Sequence, residues 1–158
     1  MQNWARKITL SETMNCVFCE TKNLNGEIFY ETQNFFCVYN LRPVLPGHSM
    51  IIPKRHIESV MDMSEDEIEE LPSVVKLALV VLKKAYKGNG FNIVIQEGAA
   101  AGASINHFHM HVVPRRKGDI KNDEWAMYFK KNELTRPKLS KQQMAKEVEK
   151  IKKTIDSL

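Results

Sequence analysis

Between His107 and Val113 three histidines alternate with large apolar side chains, and this run constrains the chain more than any other segment. Alternation of this kind predicts an extended strand over residues 107–113. Successive side chains of a strand point to opposite faces, so the imidazoles of His107, His109 and His111 share one face at a spacing of about 6.6 Å, while Phe108, Met110 and Val112 turn to the core. A single histidine in a strand is ordinarily structural. Three on one face each need a buried partner or solvent, and desolvating three titratable rings without purpose is costly. Two uses remain for the cluster: chemistry by imidazole itself, or ligation of a catalytic metal, which needs a further ligand nearby.

The 158 residues fit one domain with a tail or helix left over. The expected organisation is an N-terminal extension over 1–12, a domain over 13–130 and a C-terminal helical tail over 131–158. No apolar run approaches the roughly 20 residues that span a bilayer, and residues 1–10 lack the apolar core of a signal peptide, so a cytoplasmic protein without a membrane partner is expected. Cys16, Cys19 and Cys37 are too few and odd in number for a disulfide framework; reduced thiols or a metal are favoured. The net charge of +4 is concentrated late in the chain, where 13 Lys or Arg face 7 Asp or Glu from Arg115 onward. A solvated helix and loop explain this excess better than a nucleic-acid surface, because charge alone supports only non-specific binding. The same excess would attract an anionic substrate.

Residues 27–31 and 35–40 are short runs around a Thr-Gln-Asn turn and predict a hairpin leading into a Pro-rich loop, with a third strand over 49–52. Ser64 with Glu67 three residues later reads as a capping box opening a helix toward Tyr86. Gly88 is the expected stop, and Pro72 should kink or divide the helix. Residues 91–97 and 107–113 predict two strands joined by the small-residue stretch 98–104, which suits close approach of backbone to a ligand. Met144, Val148, Ile151 and Ile155 recur at helical spacing behind Ser140 as N-cap. The fold class is therefore α+β, a mainly antiparallel sheet with one principal helix across it and a C-terminal helix packed on the body.

Neutral imidazole attacks phosphorus readily near pH 7, and the bond it makes is labile enough to be passed on to water. The attacking ring needs its second nitrogen held by an acceptor, and a neighbouring imidazole can donate to phosphoryl oxygens or the leaving group. His109, at the centre of the run, is the expected nucleophile and His111 the donor. His48, behind Pro46-Gly47, is placed to orient that pair.

The run His107-Phe108-His109-Met110-His111-Val112-Val113 resembles the signature of the histidine triad nucleotide hydrolases and transferases. The resemblance extends to Asn40-Leu41-Arg42-Pro43-Val44-Leu45-Pro46-Gly47-His48 and Ile51-Ile52-Pro53-Lys54-Arg55-His56, and covers roughly residues 13–130. Val112-Val113-Pro114-Arg115, Gly118-Asp119 and Asn122-Asp123 look most like the fragile histidine triad branch, which cleaves diadenosine polyphosphates. The resemblance implies a histidine triad fold, a homodimer with a continued sheet, an adenine-type nucleotide substrate and no organic cofactor. It assigns nucleotidyl transfer to His109 with His111 and His48 as partners, ribose binding to Asn40, and phosphate contacts to Gln96, Ser104 and His111. Trp125 and Tyr128 match the position of a loop over the substrate. At Gly102-Ala103-Ser104 the chain departs from the hydrolases, which carry Gln after the glycine, and looks like diadenosine polyphosphate phosphorylases and uridylyltransferases. His111, where uridylyltransferases have Gln, points the other way, so the acceptor is water or phosphate. A phosphoramidate hydrolase and a nucleotide-binding signalling module are further readings. A DNA-end deadenylase like aprataxin would need a C-terminal zinc finger, and no cysteine follows Cys37.

Cys16-Val17-Phe18-Cys19 has the spacing of a metal knuckle or a redox pair. By the same resemblance, His56 and His107 complete a structural zinc site with Cys16 and Cys19. Two histidines then serve the metal and three the chemistry. Cys37 reads as a buried small hydrophobe, and Phe18, Phe36 and Leu41 are either core or the wall of a base pocket.

Overall fold

The computed structural model describes residues 16–120 and 135–158. β1 (Ile28–Glu31) and β2 (Phe35–Tyr39) form the expected hairpin, its turn closed where Thr32 N–H donates to Phe35 O at 2.9 Å and Phe35 N–H donates to Thr32 Oγ1 at 3.0 Å. β3 (Ser49–Pro53), β4 (Gly90–Ile95) and β5 (Met110–Arg115) complete an antiparallel sheet of order β1-β2-β3-β5-β4. The last strand in sequence is thus inserted between two earlier ones, and His111 lies inside the sheet rather than on its edge. With α1 (Glu65–Tyr86) and α2 (Lys141–Asp156) this is the expected α+β architecture, an antiparallel sheet with one principal helix and a C-terminal helix.

Both faces of the sheet are covered, by different parts of the chain. Phe35, Cys37, Tyr39, Ile51, Phe108, Met110 and Val112 pack with Val74, Ala78, Val81 and Leu82 of α1 and Met144, Val148 and Ile151 of α2. The alternate residues Phe36, Val38, Met50 and Ile52 pack instead with Cys16, Phe18 and Leu24. Phe108, Met110 and Val112 face the helices, so the alternate residues His109, just before β5, and His111 within it stand on this second face, where Phe18 packs against His109. Cys37 is buried among apolar neighbours, as its sequence context implies, and burial pushes its thiol up to about 12.

Both capping boxes are present. Ser64 N–H donates to Glu67 Oε2 at 2.7 Å and Glu67 N–H to Ser64 Oγ at 3.3 Å, and Ser140 and Gln143 repeat the pattern at α2. The Glu67 carboxylate also accepts two bonds from the Arg55 guanidinium, at 3.2 and 2.6 Å. The start of α1 is thereby fastened to the residue next to His56.

Several boundaries differ from those read in the sequence. Pro72 does not divide α1, which runs unbroken; the proline is exposed, so the carbonyl that loses its amide partner faces water. Lys87 rather than Gly88 takes the left-handed conformation at the end of α1, with φ 53°. Gly88 sits close to the neighbouring strand, where a Cβ would lie 3.2 Å from Pro114 Cβ, tighter than most such contacts. β4 ends at Ile95, and β5 begins at Met110 rather than at His107. The reason is the partner strand: β3 pairs only from Ser49 opposite Val112 to Ile51 opposite Met110. His107 bonds to the last residue of β3 through Pro53 O, and Phe108 N–H donates to Ile57 O in the loop after it at 2.6 Å.

Gly47 sets the approach to β3. Its φ is +90°, and a Cβ would lie 2.6 Å from Pro114 Cγ and 2.7 Å from the Tyr86 ring. Only glycine lets the chain turn here and deliver His48 to the sheet. The expected extension over 1–12, and Asn122, Asp123, Trp125 and Tyr128, lie outside the described residues.

Candidate functional site

The tautomers at the centre follow from the acceptors around them. His109 Nδ1 lies 2.7 Å from the backbone oxygen of His107; a carbonyl only accepts, so the ring carries its proton on Nδ1 and keeps a lone pair on Nε2. His48 is wholly buried, and its Nδ1 accepts the Val44 N–H at 3.0 Å. In neutral His48 the proton is therefore on Nε2, which lies 2.9 Å from His111 Nδ1 and donates to it. The proton of neutral His111 then sits on Nε2. Two imidazoles 4.9 Å apart thus present opposite characters, a lone pair on His109 and an N–H on His111.

Both rings line a cavity of about 430 Å³, whose wall also includes Phe18, Asn40, Leu41, Met50 and Ile105. This volume is typical of small-molecule sites. Asn40 accepts the Arg42 N–H at 2.7 Å through Oδ1, which fixes its amide orientation. Its Nδ2 lies 3.5 Å from His48 Nε2, a contact between two donors rather than a bond.

On the same face of the sheet, Cys16, Cys19, His56 and His107 bring four ligand atoms within 4.8 Å of one another. Cys16 Sγ lies 3.4 Å and Cys19 Sγ 3.5 Å from His107 Nδ1, and Cys19 Sγ lies 3.0 Å from His56 Nδ1. His107 Nε2–H donates to Pro53 O at 2.9 Å, leaving Nδ1 as the ligand atom. Burial, and then the hydrogen bond with Cys16, push the Cys19 thiol up to about 12. A cation would reverse that by stabilising the thiolate, and the donor set is one that can hold a metal ion. The cluster is joined to the cavity by Phe18, whose ring packs edge-on against His107 at 5.7 Å and His109 at 5.4 Å.

The HIT domain family matches residues 21–118. The chain belongs to the histidine triad family. A bis(5'-adenosyl)-triphosphatase of Dictyostelium discoideum is 34% identical over 77% of this chain and 80% of its own length. An asymmetrical bis(5'-nucleosyl)-tetraphosphatase of Schizosaccharomyces pombe is also 34% identical, over 70% of this chain and 61% of its own length. Among solved structures, a histidine triad nucleotide-binding protein of Sulfolobus tokodaii superposes with a TM-score of 0.74 at 30% identity, covering 90% of this chain and 93% of that one. A zinc-bound histidine triad protein of Mycobacterium smegmatis gives 0.71 at 25% identity over 92% of this chain and 96% of that one.

Within this histidine triad protein, His109, His111, His48 and Asn40 come together, as do the four candidate metal ligands. Phe18 and Leu41 line the cavity, while Phe36 is buried in the core beside it. Gln96 and Ser104 do not line it. The Gln96 amide donates to Ala101 O at 2.8 Å and lies beneath Gly102, where a Cβ would meet Nε2 at 2.9 Å; Ser104 is exposed on the same loop. The cavity also holds Glu27, Arg42, Arg136 and Lys138, which no motif in the sequence marks. Burial lifts the Glu27 carboxyl to about 7, against the opposing charge of Lys138. No helix among the described residues is long and apolar enough to cross a membrane.

Burial lowers His48 from 6.5 to about 3, with the charges of Arg136 and His109 adding to it. Burial likewise holds His111 well below 6.5. Below about pH 6.5 the unfolded chain binds protons at these positions that the folded chain does not, so their contribution to stability is complete above that value and is lost as pH falls toward 3. The urea midpoint is expected to drop between pH 7 and pH 4.5, and His48→Gln to flatten that dependence. An equal slope in the variant would show that the histidine pair is not its source.

Proposed function

We propose that this chain hydrolyses dinucleoside polyphosphates, of the diadenosine tri- or tetraphosphate type, through a nucleotidyl-histidine intermediate. The observation that carries this reading is the opposed pair of fixed tautomers facing one cavity: a lone pair on His109 Nε2 beside an N–H on His111 Nε2. His109 Nε2 attacks the α-phosphorus, a bond to nitrogen forms, and the bond to the bridging oxygen breaks. The leaving nucleotide keeps that electron pair, and hydrogen bonding from His111 stabilises the charge that develops. The His107 carbonyl meanwhile stabilises the positive ring that nucleotidylation creates on His109. Water then displaces the histidine, giving a mononucleotide and releasing a proton. Asn40 binds the ribose, and the apolar wall of Phe18, Leu41, Met50 and Ile105 receives the base. The names of the triphosphatase and tetraphosphatase relatives support the substrate class.

A second reading within the same chemistry is a phosphorylase, in which inorganic phosphate replaces water in the second step. The side chain of Ala103 offers nothing polar to the phosphates, and Gln96 is engaged with its own loop, both of which favour it. Gln96 and Ser104 would then contact phosphate only after the loop rearranges.

We further propose zinc in the Cys16, Cys19, His56 and His107 cluster, as a closed structural site. Tetrahedral zinc with thiolate and imidazole ligands places ligand atoms roughly 3.3–3.8 Å apart, close to the separations of 3.0, 3.4 and 3.5 Å here. The zinc-bound mycobacterial structure supports the assignment. A cytoplasmic homodimer fits the reading as well: β4 is an edge strand, and Ile93 and Ile95 on it are 46% and 43% exposed.

His109→Asn is expected to lower turnover of diadenosine triphosphate on the order of 10³-fold or more while leaving nucleotide binding intact. Chromatography of the products with and without inorganic phosphate assigns the acceptor: AMP and ADP in both conditions mean water, phosphate-dependent ADP release means phosphorolysis. Wild-type rates in the variant would remove His109 as nucleophile. Purified protein should carry one zinc per chain by elemental analysis, and its removal by a chelator should lower the melting temperature by roughly 5 °C or more. Full stability after removal would exclude a structural metal. Sedimentation velocity should show a dimer that Ile93→Lys converts to monomer; a monomeric wild type would exclude the interface.

A further inference from the structure

The polypeptide passes over the cavity a second time, well after the histidine strand. The Arg42 guanidinium donates to the backbone oxygen of Arg136, and Leu139 N–H donates to Leu41 O at 3.0 Å. Both anchors lie in the loop that follows Asn40. Immediately downstream, the capping box at Ser140 starts α2, which buries Met144, Val148 and Ile151 in the main core. Residues 136–139 are thus held between a bonded loop and a docked helix, and Arg136 and Lys138 line the same cavity as His109 and His111.

Arg136 is only 9% exposed. Its charge is among those that keep both His48 and His111 neutral, which places the guanidinium close to the proton-donating pair. Among the described residues that line the cavity there are three fixed cations, Arg42, Arg136 and Lys138, and one carboxylate, Glu27, on which the charge of Lys138 acts. A cavity with that balance favours an anionic occupant. Guanidinium has the planar, forked donor geometry that matches two oxygens of one phosphoryl group. The segment lies outside residues 21–118 matched by the family.

We propose that Arg136 is a catalytic residue that binds the non-bridging oxygens at the transferring phosphorus, with Lys138 on the next phosphate of the chain, so that the segment before α2 forms a polyphosphate clamp. This rests on the nucleotidyl-transfer reading above. As the bond to the bridging oxygen lengthens, negative charge is redistributed over the equatorial oxygens of the transferring phosphoryl group, and a guanidinium held against those oxygens stabilises them more in the transition state than in the ground state. Lys138 contributes mainly to affinity and discriminates by phosphate number.

The test measures calorimetric binding of adenosine, AMP, ADP and ATP alongside turnover of diadenosine triphosphate, in wild type, Arg136→Ala, Arg136→Lys and Lys138→Ala. In Arg136→Ala, kcat is expected to fall on the order of 10²-fold or more, to recover partly in Arg136→Lys, and to rise again when guanidinium ion is added at tens of millimolar. Lys138→Ala should weaken ADP and ATP more than adenosine. Should Arg136→Ala fail to fold, Arg136→Gln, which keeps the length of the chain and a hydrogen-bonding end, carries the same expectation. Unchanged kcat in a folded Arg136 variant, or a loss that guanidinium does not rescue, overturns the clamp while turnover by the wild type leaves the histidine chemistry standing. Absence of both nucleotide binding and turnover in the wild type overturns the two together.

Discussion

One hydrogen bond, from His109 Nδ1–H to the backbone oxygen of His107, decides what the site can do. An imidazole with that proton fixed has its lone pair on the opposite nitrogen, and a carbonyl acceptor cannot reverse the arrangement. The donor of the bond is the proposed nucleophile and the acceptor belongs to the Cys/His cluster that could hold a metal. His107 thus has three separate attachments: its carbonyl to His109, its Nε2–H to Pro53 O, and its Nδ1 to the two cysteine sulfurs. Fixing the cluster fixes the orientation of the nucleophile. Phe18, held between the two cysteines, transmits the same constraint to the cavity wall.

The division of the sheet into two unlike faces explains why polar chemistry survives in so buried a place. The helical face holds a continuous apolar core, where three histidines would have to be satisfied one by one. The other face is covered by the loop containing Cys16 and Cys19 and by the segment leading to α2, both of which bring polar groups of their own. His48 and the Nδ1 of His111 are joined in a chain that begins at the Val44 amide, so the proton of each neutral ring has one place to be. Gly47 makes that chain accessible by allowing the turn that sets His48 beside β5. A fully neutral relay suits a reaction whose leaving group is a stable polyphosphate anion, which needs hydrogen bonding more than full protonation.

Much of this was legible in the residues. Alternation revealed which side of β5 is polar, Ser64 with Glu67 and Ser140 with Gln143 marked the starts of both helices, and the resemblance at the Cys16 pair, His56 and His107 named a cluster that the fold brings together. Boundaries were less legible because partners in space set them: β5 starts at Met110, where pairing with β3 begins, and α1 ends with Lys87 rather than a glycine in the left-handed conformation. Gln96 matched a family position yet bonds to its own loop, an arrangement that no spacing encodes. Arg136 and Lys138 were invisible for a different reason. They lie in a stretch without periodicity, and only the docking of α2 carries them back to the histidines.

The central claim is that the nucleotidyl group passes through His109, and the stereochemistry at phosphorus tests it most directly. Diadenosine triphosphate bearing a single α-phosphorothioate of known configuration would be cleaved in ¹⁸O-labelled water and the configuration of the product determined. Two successive in-line displacements, one by His109 Nε2 and one by water, give net retention. Net inversion would mean that water attacks the substrate directly and that the fixed tautomer of His109 serves another purpose.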